Sequence, residues 1–296
     1  MIDVTSLTAY VEERRLPLIR KTIFAAPSVK HFNLQTGIKH AAALNILTTD
    51  VVLGDGSVCG WNEAGASRFS QRELEVGNLK VNMSFCDKAM LKYWNGYDVR
   101  VAAGQKSLPF EEYFVDGIIE GIKNKVEVAV WQGVKATDKF DGLLTILDAA
   151  SASTINPTLT SAMTPYERTL AAYKAIPASK LDKAVIFMGV DHFRDLVLEL
   201  TAKNLFHYDP KVDDAMEIIL PGTNTRVYGV SGLNGQHAII CADPENIYYG
   251  VDMEGDEERF DLWYSKDNQE FRLAIYFNAG VQVAFPSEVV RGVWEV

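Results

Sequence analysis

Histidine and aspartate lie close together in the sequence at two places where they could support acid–base or metal chemistry. Asp191 adjoins His192 at a predicted helix start, and His207 lies two residues before Asp209. A histidine beside a carboxylate can transfer protons or bind a metal ion. Zinc sites, however, need three or four protein ligands, whereas a histidine that caps a helix or faces solvent needs none. The capping or surface interpretation is therefore favoured at both places.

Other motifs that carry chemistry are absent or incomplete. The acidic run of Asp252, Glu254, Asp256, Glu257 and Glu258 lacks the alternating ligands and central glycine of a calcium-binding loop, which favours a solvated turn. The sequence contains no H-E-x-x-H, P-loop, G-x-S-x-G or dinucleotide-binding glycine motif. We therefore predict no catalytic, cofactor-binding or metal-ligating residue, no cofactor and no enzymatic activity.

Charge and cysteine content narrow the class of protein. The 296 residues are 48% hydrophobic and 23% charged, with a net charge of −10, so nucleic acid and anionic membranes are poor partners for most of the surface. The three cysteines are widely spaced without a C-x-x-C motif, which indicates free thiols in a reducing compartment. Neither a signal peptide nor a run of about 18 apolar residues is visible. A cytoplasmic protein without a membrane partner is expected.

The longest stretch with helical periodicity runs from Ser107 to Gly133. Its apolar stripe consists of Phe110, Phe114, Ile118, Ile122, Val126 and Ala129. Ser107 is a candidate N-cap, and Gly133 is a candidate C-terminal glycine. At about 1.5 Å per residue, the helix would span roughly 40 Å. Gly117 and Gly121 would each cost about 1 kcal/mol relative to Ala, so we expect another backbone to cross the helix there.

Two segments that precede this helix lack a core of their own. Residues 1–35 have scattered apolar side chains interrupted by Pro17 and Pro27, which indicates an arm that lies on another surface. Residues 37–86 have the character of β-strands, with predicted turns at Gly54–Gly56 and at Gly77–Asn78. A long two-stranded excursion fits this second segment better than a compact layer.

Beyond the helix, the pattern changes to alternating strands and short helices. The stretch KFDGLLTILDAA is predicted as an apolar strand or turn. Thr164 and Glu167 form a capping box that begins a helix. A continuous apolar strand follows at Ala184–Gly189, then a helix from about Asp191 to Asn204. Together with the short strands after it, this block favours an α/β layer of about 100 residues.

The C-terminal segment alternates with the period of two that is typical of β-strands. Turns are predicted at Lys266–Asn268 and at Asn278–Gly280, which gives an antiparallel meander. Because this meander has no helix of its own, we expect it to pack on the long helix and to leave the α/β block as an insertion. The predicted fold class is α+β.

The order of these parts resembles the major capsid protein of tailed bacteriophages, with the Hong Kong ninety-seven type fold; encapsulins are similar. The resemblance covers nearly the whole chain. Its most specific stretches are the helix that ends in VEVAVWQG, followed by F-D-G-L, and the final F-N-A-G-V-Q-V-A-F-P. None of these stretches is an active-site signature.

The resemblance implies an assignment of each segment. Residues 1–36 would be the N-terminal arm, and residues 37–86 the extended E-loop, a β-hairpin that lies over a neighbouring subunit. Residues 87–147 and 251–296 would form the peripheral domain, with the long helix as its spine and an antiparallel sheet. Residues 148–250 would form the inserted α/β axial domain.

The implied function is that of a major capsid subunit. It would self-assemble through pentamers and hexamers into an icosahedral shell around packaged double-stranded DNA, without binding that DNA specifically. The implied location is the virion capsid, assembled in the cytoplasm of a bacterial host. Scaffolding, portal and decoration proteins are the other expected partners.

Two alternatives remain open. An encapsulin-like shell would share the fold but enclose cargo enzymes instead of DNA. An unrecognised α/β enzyme would instead show a pocket with converging titratable groups in residues 148–250.

Overall fold

The computed structural model describes residues 14, 18, 21–22, 26–52, 66–86, 110–205, 216–252 and 259–295. The α-helices whose bounds lie in these ranges are α1 (Phe110–Gln132), α2 (Lys135–Asp138), α3 (Leu143–Ala149), α4 (Pro165–Lys174) and α5 (Val190–Ala202). The strands are β1 (Asn33–Gln35), β2 (Ala41–Asp50), β3 (Ala66–Glu75), β4 (Gly77–Cys86), β5 (Val185–Gly189), β6 (Glu217–Ile219), β7 (Arg226–Val230), β8 (Ala238–Ala242), β9 (Ile247–Val251), β10 (Arg259–Ser265), β11 (Glu270–Val283) and β12 (Val290–Val293). The predicted cap Ser107, the turn at Gly54–Gly56, His207 and most of the acidic run lie outside the described residues.

The long helix predicted from the apolar stripe is confirmed as α1. It ends at Gln132, next to the predicted Gly133, but Gly133 does not have the positive φ of a left-handed C-terminal glycine, so that part of the prediction is wrong. The glycine is needed for close packing instead, since a Cβ there would lie 2.3 Å from the carbonyl oxygen of Ala129 and 3.1 Å from that of Phe140. The following stretch differs from the prediction of a strand or turn, since Leu143–Ala149 forms α3. Leu143 and Leu147 are both buried one helical turn apart, so a short apolar run that is compatible with either element packs here as a helix.

The first sheet has the strand order β1-β9-β11-β10, and β4 also pairs with β11. The turn at Lys266–Asn268 is confirmed, because it joins β10 to β11. The turn predicted at Asn278–Gly280 is wrong, since β11 continues through it as a strand of 14 residues. The glycine serves a close contact instead, because a Cβ at Gly280 would lie 2.1 Å from the carbonyl oxygen of Glu75.

A two-stranded sheet, formed by β2 and β3, is the excursion predicted within residues 37–86, whereas the last strand of that range, β4, belongs to the first sheet. The two strands pair antiparallel from Ala41 opposite Glu75 to Asp50 opposite Ala66. The turn predicted at Gly77–Asn78 is wrong. Only Val76 separates β3 from β4, and β4 pairs along β11. Gly77 is needed for packing, since its Cβ would lie 2.4 Å from the carbonyl oxygen of Lys139.

The second sheet has the order β12-β8-β5-β7-β6 and belongs to the middle block of the chain. The predicted capping box is confirmed at α4, where Thr164 accepts the N–H of Glu167 and the Glu167 carboxylate accepts the N–H of Thr164. The predicted strand and helix at residues 184–204 are confirmed as β5 and α5. The last strand, β12, lies in a region that the predicted division gives to the peripheral domain, yet it pairs with β8 of this second sheet.

One large apolar core contains side chains of α1 together with β10 and β11, as the sequence predicts. A second core lies between the second sheet and helices α4 and α5. A third, small core lies at the base of the β2–β3 hairpin and consists of Ile38, Leu44 and Leu74. Among the described residues, none of the helices combines the length and the apolar character that crossing a membrane requires.

Candidate functional site

The acid–base pair considered in the sequence does not form a reactive site. The backbone N–H of His192 donates to Asp191 Oδ1 at 2.8 Å, and the N–H of Gly235 donates to Asp191 Oδ2 at 2.9 Å. Asp191 therefore binds backbone groups around the start of α5 and does not pair with an imidazole nitrogen. Across the described ranges, no group of three or more His, Cys, Asp or Glu side chains could hold a metal ion.

The thiol of Cys241 is likewise unsuited to nucleophilic chemistry. Cys241 is buried in β8, and burial raises the pKa of its thiol, which disfavours the reactive thiolate. Cys86 is exposed at the end of β4, and Cys59 lies outside the described residues.

The β2–β3 hairpin places apolar side chains in solvent. Leu47 lies directly opposite Phe69 in the ladder, and their exposed fractions are 54% and 83%. Val51 and Val52, just beyond β2, are also exposed. Adjacent exposed apolar residues on an extended hairpin are typical of an interaction surface, because contact with a partner removes their side chains from water.

The base of the hairpin is held firmly against the first sheet. The side-chain amide of Gln282 donates to the carbonyl of Glu73 at 2.7 Å, and the N–H of Val76 donates to the carbonyl of His40 at 2.9 Å. Lys135 forms an ion pair with Glu75. These contacts fix the direction in which the hairpin leaves the body of the subunit.

The segment before β1 is held by a carboxylate inside α1. Glu127 has no exposed surface, and it accepts hydrogen bonds from the backbone and hydroxyl of Ser28 and from the indole N–H of Trp131 at 3.3 Å. Burial raises the pKa of Glu127, and these donors together with the backbone N–H of Gly232 oppose that rise. The junction joins three parts of the chain: the segment before β1, α1, and the 3₁₀ turn Ser231–Leu233.

Glu127 lies outside the apolar stripe predicted for this helix, so its burial was not predicted from the sequence. The C-terminal part of α1 is buried on more than one face, since Val126, Val130 and Trp131 are buried as well. The nearest signal in the sequence was Trp131, which lies one helical turn after Glu127 and is a large residue that must be covered.

A groove of about 1270 Å³ runs between α1 and β4. Its walls include Val81, Phe85, Phe114, Gly117 and Gly121. The predicted backbone crossing at the two glycines is not found, because no described atom lies within 4 Å of a Cβ built at either position. The close crossing on α1 occurs at its other end, where a Cβ at Gly232 would lie 2.4 Å from the carbonyl oxygen of Glu127.

Comparison with known proteins gives likeness in structure alone. No protein-family model matches the sequence, and no curated protein is significantly similar to it. A structure of the satellite phage P4 procapsid including size determination (Sid) protein matches with a TM-score of 0.62 and 11% identity, over 100% of this chain and 99% of that chain. A structure of Mycobacterium phage Ogopogo matches with a TM-score of 0.60 and 11% identity, over 91% of this chain and 92% of that one. The capsid of an empty GTA particle matches with a TM-score of 0.59 and 10% identity, over 92% and 90%.

The likeness to these solved structures extends over almost the entire length of both chains. It is too extensive to reflect one shared motif. The chain therefore has the α+β fold of phage capsid proteins.

Proposed function

We propose that the protein is a major capsid subunit that assembles through pentamers and hexamers into an icosahedral shell around packaged double-stranded DNA. The observation that carries this proposal is the likeness to a procapsid structure over 100% of this chain and 99% of the other. The subunit would reside in the virion capsid after assembly in the cytoplasm of a bacterial host.

The proposed division of labour follows the predicted segments. Residues 1–36 serve as the arm, residues 37–86 as the E-loop, residues 87–147 and 251–296 as the peripheral domain, and residues 148–250 as the axial domain. The exposed Leu47 and Phe69 support an E-loop that lies over a neighbouring subunit, because burying both side chains there removes apolar surface from water. Several modest interfaces of this kind add up to a stable shell through multivalency.

Inside the proposed shell, the subunit would face DNA without making specific contacts to it. A net charge of −10 disfavours tight binding to phosphates, so packaged DNA would not adhere to an acidic lining. Scaffolding, portal and decoration proteins are the other proposed partners.

Electron microscopy of the purified full-length protein tests the proposal. We expect closed shells from the wild type. We expect few or none from a Leu47→Ser/Phe69→Ser variant that still elutes as a folded subunit. The matched control, Leu47→Met/Phe69→Leu, keeps both positions apolar and should still assemble.

A wild type that stays monomeric at high concentration across salt and crowding conditions would overturn the proposal. Shells isolated from the native source that hold an enzyme and no DNA would overturn its DNA-packaging part in favour of an encapsulin-like compartment.

A further inference from the structure

The end of the C-terminal strand β12 packs on the second sheet through a cluster of aromatic and imidazole side chains. This cluster is distinct from the hairpin residues of the proposed assembly contacts. Trp294 follows β12, and its side chain is buried. The backbone N–H of Trp294 donates to the carbonyl of His237 at 3.1 Å. The Trp294 ring centroid lies 4.9 Å from that of His192 and 5.6 Å from that of His237. The two imidazole centroids are 5.4 Å apart.

A positively charged side chain, that of Arg168, already lies over one face of the Trp294 ring. Arg168, on α4, places its guanidinium carbon 4.4 Å from the centroid of the Trp294 ring. Such a contact is favourable because the face of an indole ring is electronegative. A second positive charge beside the same ring would be repelled by Arg168.

Both histidines keep a nitrogen buried inside the cluster. Nε2 of His192 and Nδ1 of His237 are buried and have no hydrogen-bond partner among the residues that the structure describes. A protonated imidazole carries an N–H on each nitrogen, so protonation of His192 would bury a donor that has no acceptor. Burying an unpaired donor opposes protonation.

The charged groups around His192 act in both directions. They are Asp191 and Asp195 on α5, Arg168 on α4 and His237 before β8, while Glu295 beside Trp294 is exposed. Burial is the largest influence and lowers the pKa of His192. The carboxylates of Asp191 and Asp195 oppose this lowering, whereas His237 and Arg168 add to it. Asp191 already accepts two backbone N–H groups, which leaves its carboxylate less free to stabilise an imidazolium.

We propose that His192, His237, Arg168 and Trp294 form an acid-sensitive clasp, which holds the C-terminal strand on the second sheet while His192 is neutral and loosens when His192 takes up a proton.

The sign follows from the two states of His192. When the C-terminal strand is released, His192 meets water and titrates near its ordinary value of 6.5. In the closed clasp, its pKa lies lower. Protons therefore bind the released state more readily, so the contribution of neutral His192 to closure is present in full above pH 6.5 and is lost as the pH falls through the lowered pKa. A single histidine can change the opening equilibrium by at most about tenfold per pH unit.

Hydrogen–deuterium exchange of the full-length protein measures the opening directly. The amides of Arg291 and Trp294 donate to the carbonyls of Ile155 and His237, so a peptide spanning residues 290–295 reports whether the strand is docked. After correction for intrinsic exchange rates, we expect its protection to fall measurably between pH 7.5 and pH 5.5, by up to about tenfold. A peptide from the centre of β11 should show no comparable loss.

Three variants separate the clasp from a general effect of acid. His192→Gln removes the titrating group on which the proposal rests and should markedly reduce the pH dependence of protection at residues 290–295. Arg168→Gln removes the repelling cation and should reduce the loss of protection. His40→Gln changes an exposed histidine next to β2 and should leave the acid response unchanged.

Wild-type protection of residues 290–295 that does not change between pH 7.5 and pH 5.5 would overturn the proposal. So would an undiminished loss of protection in His192→Gln. If that variant fails to fold, an undiminished loss in Arg168→Gln has the same consequence.

Discussion

Ser28 donates two hydrogen bonds to the carboxylate of Glu127, although the two residues are 99 positions apart in the sequence. The backbone N–H of Ser28 reaches Glu127 Oε2 at 3.2 Å, and the hydroxyl of Ser28 also accepts the indole N–H of Trp131 at 2.9 Å. A helix side chain thereby completes the backbone hydrogen bonding of the 3₁₀ turn Pro27–His31. The segment before β1 is thus fixed to α1 by polar contacts inside an apolar core.

Replacing Glu127 with Gln should destabilise the protein by about 1 to 3 kcal/mol, because the amide NH₂ group would face donors and leave at least one buried N–H unpaired. The free energy of unfolding in urea measures the loss. Glu120→Gln is the matched control on the same helix. Its side chain is exposed, so its effect should stay within about 0.5 kcal/mol. Equal effects of the two substitutions would contradict the role of Glu127.

Glu127 should also give the stability of the protein a measurable dependence on pH. Burial raises its pKa above the ordinary value of 4.5, so the folded state binds its proton more readily than the unfolded state does. This contribution to stability is present in full below pH 4.5 and is lost as the pH rises through the folded-state pKa. We expect the difference in unfolding free energy between wild type and Glu127→Gln to change across that window. A difference that stays constant with pH would contradict the raised pKa.

Gly232→Ala should destabilise the protein by about 1 to 3 kcal/mol. The added Cβ would lie 2.3 Å from Cδ1 of Trp131 and 2.4 Å from the carbonyl oxygen of Glu127, and neither group can move without disturbing the buried junction. Thermal unfolding followed by near-UV circular dichroism would report both the loss of stability and the displaced indole. An unchanged melting temperature would show that the contact is looser than the structure indicates.

Alanine at Gly117 or at Gly121 should have the opposite effect. Each position is inside α1 with no described atom within 4 Å of a new Cβ, so the gain in helix propensity of up to about 1 kcal/mol per site meets no opposing contact. Urea denaturation of the subunit checks the gain. If the subunit is stabilised while shell formation fails, the glycines are needed where a neighbouring subunit approaches α1. A destabilised subunit would instead indicate an internal contact.

Much of the architecture could be predicted because it is encoded locally. The apolar stripe of α1, the capping box at Thr164 and the alternation in β11 each lie within one stretch of sequence. Contacts between distant segments left no such pattern. Asn278 resembled a turn residue, yet it is buried in the middle of β11. The chain brings His192, His237 and Trp294 together only after the second sheet forms, so sequence spacing alone could not group them.

The single residue between β3 and β4 has a mechanical consequence. Because one continuous length of backbone runs from the hairpin into the first sheet, a pull on the outer end of the hairpin reaches β11 through peptide bonds and the β4–β11 ladder. The packed backbones at Gly280 and the amide of Gln282 resist bending at this point. The hairpin is therefore held rigidly at its base, so that a displacement of its outer end would be transmitted to β11, the central strand of the first sheet.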